Sequence, residues 1–162
     1  MSGDEYDLDV VSLGAGVQSS AMLLQAHAGL LEHGSNLIAM WADVQAEPPW
    51  VYEQLDYLER IVGKEIPLHR VTAGSLEENI YVGGQGRAGF AQIPTFLDGE
   101  RGRGIGRRQC TSAFQINPIQ KACRELLGLK PVQRAAGRYR GRHWPGISTD
   151  ESHRAKPSPG HW

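Results

Sequence analysis

The sixteen residues from Asp7 to Met22, DLDVVSLGAGVQSSAM, constrain the fold of this chain more than any other stretch. Val10, Val11 and Leu13 form a short apolar run, as in a strand covered on both faces. Gly14 and Gly16 permit a tight turn and close approach of another group to the backbone. Ser19 and Ser20 stand where a helix begins. A strand, a glycine loop and a helix in this order leave the helix's first N–H groups unpaired at the loop. The partial positive charge of the helix end lies there too, so the point binds anions, phosphates above all. The hydroxyls of Ser12, Ser19 and Ser20 add donors for phosphate oxygens. The expectation is a nucleotide-binding α/β protein.

The rest of the chain extends that expectation. Met22, Leu23, Ala26, Leu30 and Leu31 continue the first helix as an apolar stripe ending before Gly34. Leu37 to Ala42 reads as a second buried strand ending at Asp43. Pro48 and Pro49 open a second helix carrying Val51, Leu55, Leu58, Ile61 and Val62 and stopping at Gly63. Ile66 to Val71 is a third strand, interrupted early by Pro67. This alternation predicts a doubly wound, mainly parallel sheet of the Rossmann-like kind, whose ligands bind at the carboxyl ends of the strands. Ser75 caps a short helix through Ile80. Residues 83–106 contain eight glycines and no sustained periodicity, so they read as a long loop or flap, with Phe90 to Phe96 as an ordered segment inside it. Pro118 to Leu127 is a helix stopped by Gly128, and Pro131 to Ala136 is a further strand. The division is a nucleotide-binding domain over 1–136 and a basic, Gly/Pro-rich segment over 137–162 with partial order.

Composition bounds the function. At 162 residues, 40% hydrophobic and 22% charged, the chain is of single-domain size with an ordinary globular balance. No apolar run reaches the ~18 residues of a membrane span. The acidic N-terminus Met1-Ser2-Gly3-Asp4-Glu5 does not resemble a signal peptide, so a cytoplasmic protein is expected. Cys110 and Cys123 are the only cysteines and read as free thiols. The net charge of −1 conceals an asymmetry: residues 1–60 hold ten acidic residues against Arg60 alone, while the remainder holds sixteen basic against eight acidic. The two halves attract each other in the fold, or the basic half faces a polyanion, a nucleotide or a nucleic acid. Tyr139, Trp144 and arginines 134, 138, 140 and 142 form a basic-aromatic stretch of the sort that binds nucleic acid, and a solvated tail explains them as well. The six histidines show no metal-binding spacing, so no zinc site is expected. Cys123 belongs to an apolar helix face.

Three loop types compete for residues 12–20. A P-loop is excluded, since no Lys follows the glycines. A dinucleotide-binding G-x-G-x-x-G loop fits Gly14-Ala15-Gly16-Val17-Gln18 but meets Ser19 at the third glycine, with Asp43 as the acidic ribose binder. A loop shaped only for its turn explains the glycines too. The third type has the pattern S-x-S-G-G-x-D-S-[ST], and Ser12 to Ser20 resembles it over nine positions. That pattern belongs to the adenine nucleotide alpha-hydrolase-like superfamily, which includes the ATP pyrophosphatases and the phosphoadenylylsulfate (PAPS) reductases. Three further segments resemble this superfamily, in its order: Ala42-Asp43-Val44-Gln45-Ala46-Glu47-Pro48-Pro49, Arg107-Arg108-Gln109-Cys110-Thr111 through Ile119, and Gly146-Ile147-Ser148-Thr149-Asp150-Glu151 with Arg154.

The resemblance implies ATP or PAPS held on the loop, and cleavage between the α and β phosphates to activate an acceptor in sulfur transfer or nucleic-acid modification. Ser12, Gly14, Gly16, Gln18, Ser19, Ser20 and Asp43 would then bind the nucleotide. Arg107 and Arg108 would neutralise the leaving pyrophosphate, with Cys110 beside them as a thiol able to accept sulfur or attack an activated group. Asp43, or Asp150 with Glu151, would help position Mg²⁺. The departures matter as much. Val17-Gln18 stands where active pyrophosphatases often carry Lys-Asp, and the reductases' C-terminal cysteine motif has no counterpart. Two cysteines cannot ligate an iron–sulfur cluster with four thiolates. Reduction by the usual mechanism is therefore disfavoured, and a non-catalytic nucleotide-binding module is the rival. Superfamily members usually continue past the Asp150 segment, so a shortened chain is expected. Oligomerisation is left open.

Overall fold

The computed structural model describes residues 6–83, 96–99, 102–105, 109–134 and 139–154. The strand β1 (Leu8–Ser12) leads through Leu13–Gly16 into the helix α1 (Val17–His27). Then follow β2 (Leu37–Asp43), α2 (Pro49–Val62), β3 (Leu68–Thr72) and α3 (Leu76–Gly83). The strands β4 (Phe96–Gly99) and β5 (Gly102–Ile105) form an antiparallel pair. A π-helical turn, Thr111–Ile116, runs into α4 (Asn117–Leu126), and β6 (Gly141–Pro145) precedes a 3₁₀ helix at Thr149–Arg154.

Four strands form one all-parallel sheet in the order β3-β2-β1-β6. Helices cover both faces. Val11, Leu13, Leu37, Ala39 and Trp41 turn one way onto Leu23 and Ala26 of α1 and Leu55, Leu58 and Val62 of α2. Leu8, Val10, Ile38, Met40 and Ala42 turn the other way onto Ile119 and Cys123 of α4. Burial on both faces is why β1 and β2 read as continuous apolar runs and not as alternating ones. The arrangement is compatible with a Rossmann-like doubly wound fold. Among the described residues no helix is long and apolar enough to cross a membrane.

Several expectations are corrected. α1 ends at His27, before Gly34, because Gly29 takes φ +71°. The Leu30 N–H bonds the Gln25 carbonyl and the Gly29 N–H the Ala26 carbonyl, a paired glycine stop that leaves Leu30 exposed. The glycine-rich loop contains the β4–β5 pair, braced by an Arg103–Asp98 ion pair at 2.8 Å. The ordered segment expected over 90–96 lies outside the described residues except for Phe96. The expected strand at Pro131 to Ala136 is a turn as far as residue 134, where the description breaks off. The Arg124 guanidinium donates to the Gln133 carbonyl and Val132 takes φ +65°, which bends the chain away from extension. The strand comes later, at β6, inside the segment expected to be a partly ordered tail, so the sheet continues past residue 136. Ser75 does cap α3, its Oγ accepting the Glu78 N–H at 3.1 Å.

Candidate functional site

The sheet reverses direction at β1. The chain moves outward from β1 to β2 to β3, then returns to place β6 on the other side of β1. In open parallel sheets such a switch point opens a crevice outside the carboxyl ends of the strands, because neighbouring loops leave towards opposite faces. The loop Leu13–Gly16 and the first turn of α1 stand at that point. Pro145, the last residue of β6, is the register partner of Ser12, the last of β1.

The loop is held by its own bonds. Ser19 Oγ accepts the Gly14 N–H at 3.1 Å and donates to the Gly16 carbonyl at 3.3 Å. Ala15 takes φ +54°, a left-handed conformation that costs a non-glycine residue about 1 kcal/mol. Ser20 bonds the Gly16 carbonyl through its backbone, while its buried hydroxyl meets no partner among the described residues. The first turn of α1 carries no acidic side chain and no side-chain cap. Its N–H groups and dipole therefore offer an anion site with nothing of negative charge in that turn.

A residue that the sequence offered only as the start of the Gly146–Glu151 resemblance, with no role of its own, forms the second wall. A Cβ on Gly146 would lie 2.6 Å from the Ser19 nitrogen and 2.9 Å from the Gln18 carbonyl carbon. Both are backbone atoms, so nothing flexible can give way, and only glycine lets the chain after β6 lie against the start of α1. Asp150 and Glu151 follow a few residues on, in the first turn of the 3₁₀ helix Thr149–Arg154. The Glu151 N–H bonds the Ser148 carbonyl at 3.0 Å, and the Ser148 hydroxyl holds the Asp150 carboxyl below the usual carboxylate range. Two carboxylates with phosphate oxygens meet what Mg²⁺ asks of a protein. Among the described residues no group of three His, Cys, Asp or Glu comes together as metal ligands.

The other expected residues divide. Asp43 ends β2, and its Oδ1 accepts the Gln45 N–H at 2.7 Å and the Tyr52 hydroxyl at 3.0 Å. Burial and that bond push the Tyr52 phenol up, so it stays a donor. One oxygen of Asp43 is thus occupied by the protein itself. Cys110 is half-buried at the start of the π-helical turn. Phe114, four residues on, packs against Val44 just beyond β2, which brings this turn to the carboxyl edge as well. Arg107 and Arg108 lie outside the described residues. Cys123 is core: burial pushes its thiol up to about 11, and its Sγ lies 3.6 Å from the Met40 sulfur.

No family model matches this chain, and neither does any curated protein or solved structure. The site must be read from its own chemistry.

Within the basic-aromatic stretch, Arg142 and Trp144 belong to the fold. Arg142 makes a forked ion pair with Asp9, Nε to Oδ1 at 2.8 Å and Nη2 to Oδ2 at 2.7 Å. Its guanidinium lies between the Tyr6 and Trp144 rings, 4.6 and 4.5 Å from their centroids. Burial alone would raise the Asp9 carboxyl, but the Arg142 fork and the Gly34 N–H outweigh it and hold the group below its ordinary value. Asp9 is 1% exposed. Its position in an apolar strand was a signal, since a carboxylate between Leu8 and Val10 demands a cation.

Proposed function

We propose that the chain binds an adenine nucleotide, ATP or PAPS, with its phosphates on the loop and first turn of α1. In this reading the fold is of the adenine nucleotide alpha-hydrolase type, and the nucleotide is cleaved between its α and β phosphates to activate an acceptor. The observation that carries it is the position of residues 13–20. A glycine loop runs into a helix start at the switch point of a parallel sheet, with a buried Ser20 hydroxyl in that first turn that meets no partner among the described residues. Ala15 adds support, because its positive φ coincides with the first glycine of the S-x-S-G-G-x-D-S pattern.

The chain's residues divide the work simply. N–H groups of residues 15 to 18 and the hydroxyl of Ser20 hold phosphate oxygens, while Ser12, Gly14, Gly16, Gln18 and Ser19 shape the loop. Asp150 and Glu151 would hold Mg²⁺, which would supply positive charge to the phosphates. Arg107 and Arg108 neutralise the departing pyrophosphate, and Cys110 waits on the acceptor side. The acceptor belongs to sulfur or nucleic-acid chemistry, with the basic C-terminal half as its contact. The surroundings are cytoplasmic.

A non-catalytic module is the competing reading, and Val17 favours it. This residue is 83% exposed in the first turn of α1, where a cation would serve a triphosphate. Incubation of the chain with ATP, Mg²⁺ and a pyrophosphate-detecting assay separates the two. Release of pyrophosphate supports cleavage; binding without release supports the module.

A further inference from the structure

β6 is an edge strand whose sequence is poor at fixing its own register. None of its five residues, Gly-Arg-His-Trp-Pro, is fully buried, and among the described residues it pairs with β1 alone. Register is weakly specified where the apolar pattern is sparse, and a one-residue slip turns every side chain to the opposite face. Charge pairing alone would not choose either. Arginines stand at alternate positions 138, 140 and 142, and the opposing strand region carries Asp7 and Asp9 at the same spacing.

Two features remove the ambiguity, both on the face that meets α1. Period-2 alternation puts Arg142, Trp144 and Gly146 on that face together: Arg142 forks onto Asp9, Trp144 packs on the core, and Gly146 meets the Ser19 backbone. One-residue slips would set Gly141 or His143 opposite buried Asp9 and bring Pro145 or Ile147 to the place only glycine fits. A two-residue slip one way leaves Asp9 opposite Trp144, with Ser148 in the glycine's place. The other way satisfies Asp9 with Arg140 but drives Trp144 into the Ser19 backbone. Only the observed register meets both demands.

We propose that the Asp9–Arg142 fork and Gly146 act together as a register key for β6, and that this key positions residues 146–151 as the second wall of the phosphate site. The key is a property of the fold; its effect on phosphate binding rests on the function proposed above. A buried ion pair is a weak source of stability, and its best-attested use is to specify register.

The test replaces the pair with apolar residues, Asp9→Leu with Arg142→Met, in the full chain, so that no charge is left buried alone. Amide nitrogen–proton NMR spectra and thermal melts are then recorded without nucleotide. The variant is expected to unfold cooperatively, while residues 141–147 and Ser19 show more than one set of resonances. A single set matching wild type overturns the key. So does loss of the folded state, which would make the pair a source of stability and not a choice among registers. In Gly146→Ala, with the ion pair intact, the Gln18 and Ser19 amides are expected to shift; unmoved amides would remove Gly146 from the key. Titration of wild type with ATP tests the site separately. If wild type binds, the slipped double variant is expected to bind at least tenfold more weakly, and equal affinity would overturn the positioning role.

Discussion

Ser19 and Ser20 are neighbours with opposite circumstances. The Ser19 hydroxyl is spent on the loop, between the Gly14 N–H and the Gly16 carbonyl. Ser19→Ala should therefore lower stability by about 1 kcal/mol and weaken ATP binding by about 1–3 kcal/mol through a loosened loop, read by melting with and without ATP. The Ser20 hydroxyl is buried without a partner among the described residues. Ser20→Ala should leave the free protein as stable or more so, yet weaken ATP binding; a loss of stability would show that the hydroxyl serves the fold. Asp9 gives a pH dependence. Its folded carboxyl is held below the unfolded value of about 4. The stability it contributes is thus complete above that value and is lost as pH falls towards the folded one. Asp9→Asn should cost about 2 kcal/mol at neutral pH, less than the ~3–5 of a fully buried pair because Arg142 is 31% exposed. Acid titration of both proteins should bring their stabilities together.

At the scale of elements, legibility followed how strongly each segment's pattern matched its surroundings. β1, β2 and α2 were plain because a strand covered on both faces is a continuous apolar run, and a helix packed on one face is a stripe. α1 ran too long in the reading because Leu30 and Leu31 extend its apolar spacing, while Gly29 ends it one residue earlier through a left-handed turn. Gly29→Ala should cost about 1 kcal/mol in thermal unfolding, with no other change. β6 was illegible, because Gly141, Arg142 and His143 match neither an alternating nor an apolar strand, and its place depends on a partner 133 residues away in sequence. Of the site, the loop and its serines were readable; Gly146 was seen as part of a family-like segment, but its contact was not, since that constraint is a backbone it touches only after folding. Gly146→Ala should destabilise the chain by about 1–3 kcal/mol, as overpacking does, and a neutral outcome in a melt would contradict the contact.

Across the whole molecule the charge asymmetry has a visible use. Arg142 reaches Asp9, and Arg70 of β3 pairs with Asp56 and Glu59 of α2, so two arginines of the basic remainder are bonded to the acidic first sixty residues. That attraction accounts for part of the basic excess. The thiols divide by depth as well. Cys123 is sealed beneath α4 and Cys110 is not, so a thiol reagent should label the native chain at Cys110 only, and both after unfolding. The proposed function makes one central claim, that phosphates sit between residues 13–20 and residues 146–151. Calorimetric titration with ATP, PAPS and NAD, each with Mg²⁺, tests that claim most directly. The account predicts saturable binding of ATP or PAPS that is lost when α1's loop is altered. Binding of none, or of NAD alone through Asp43, would contradict it.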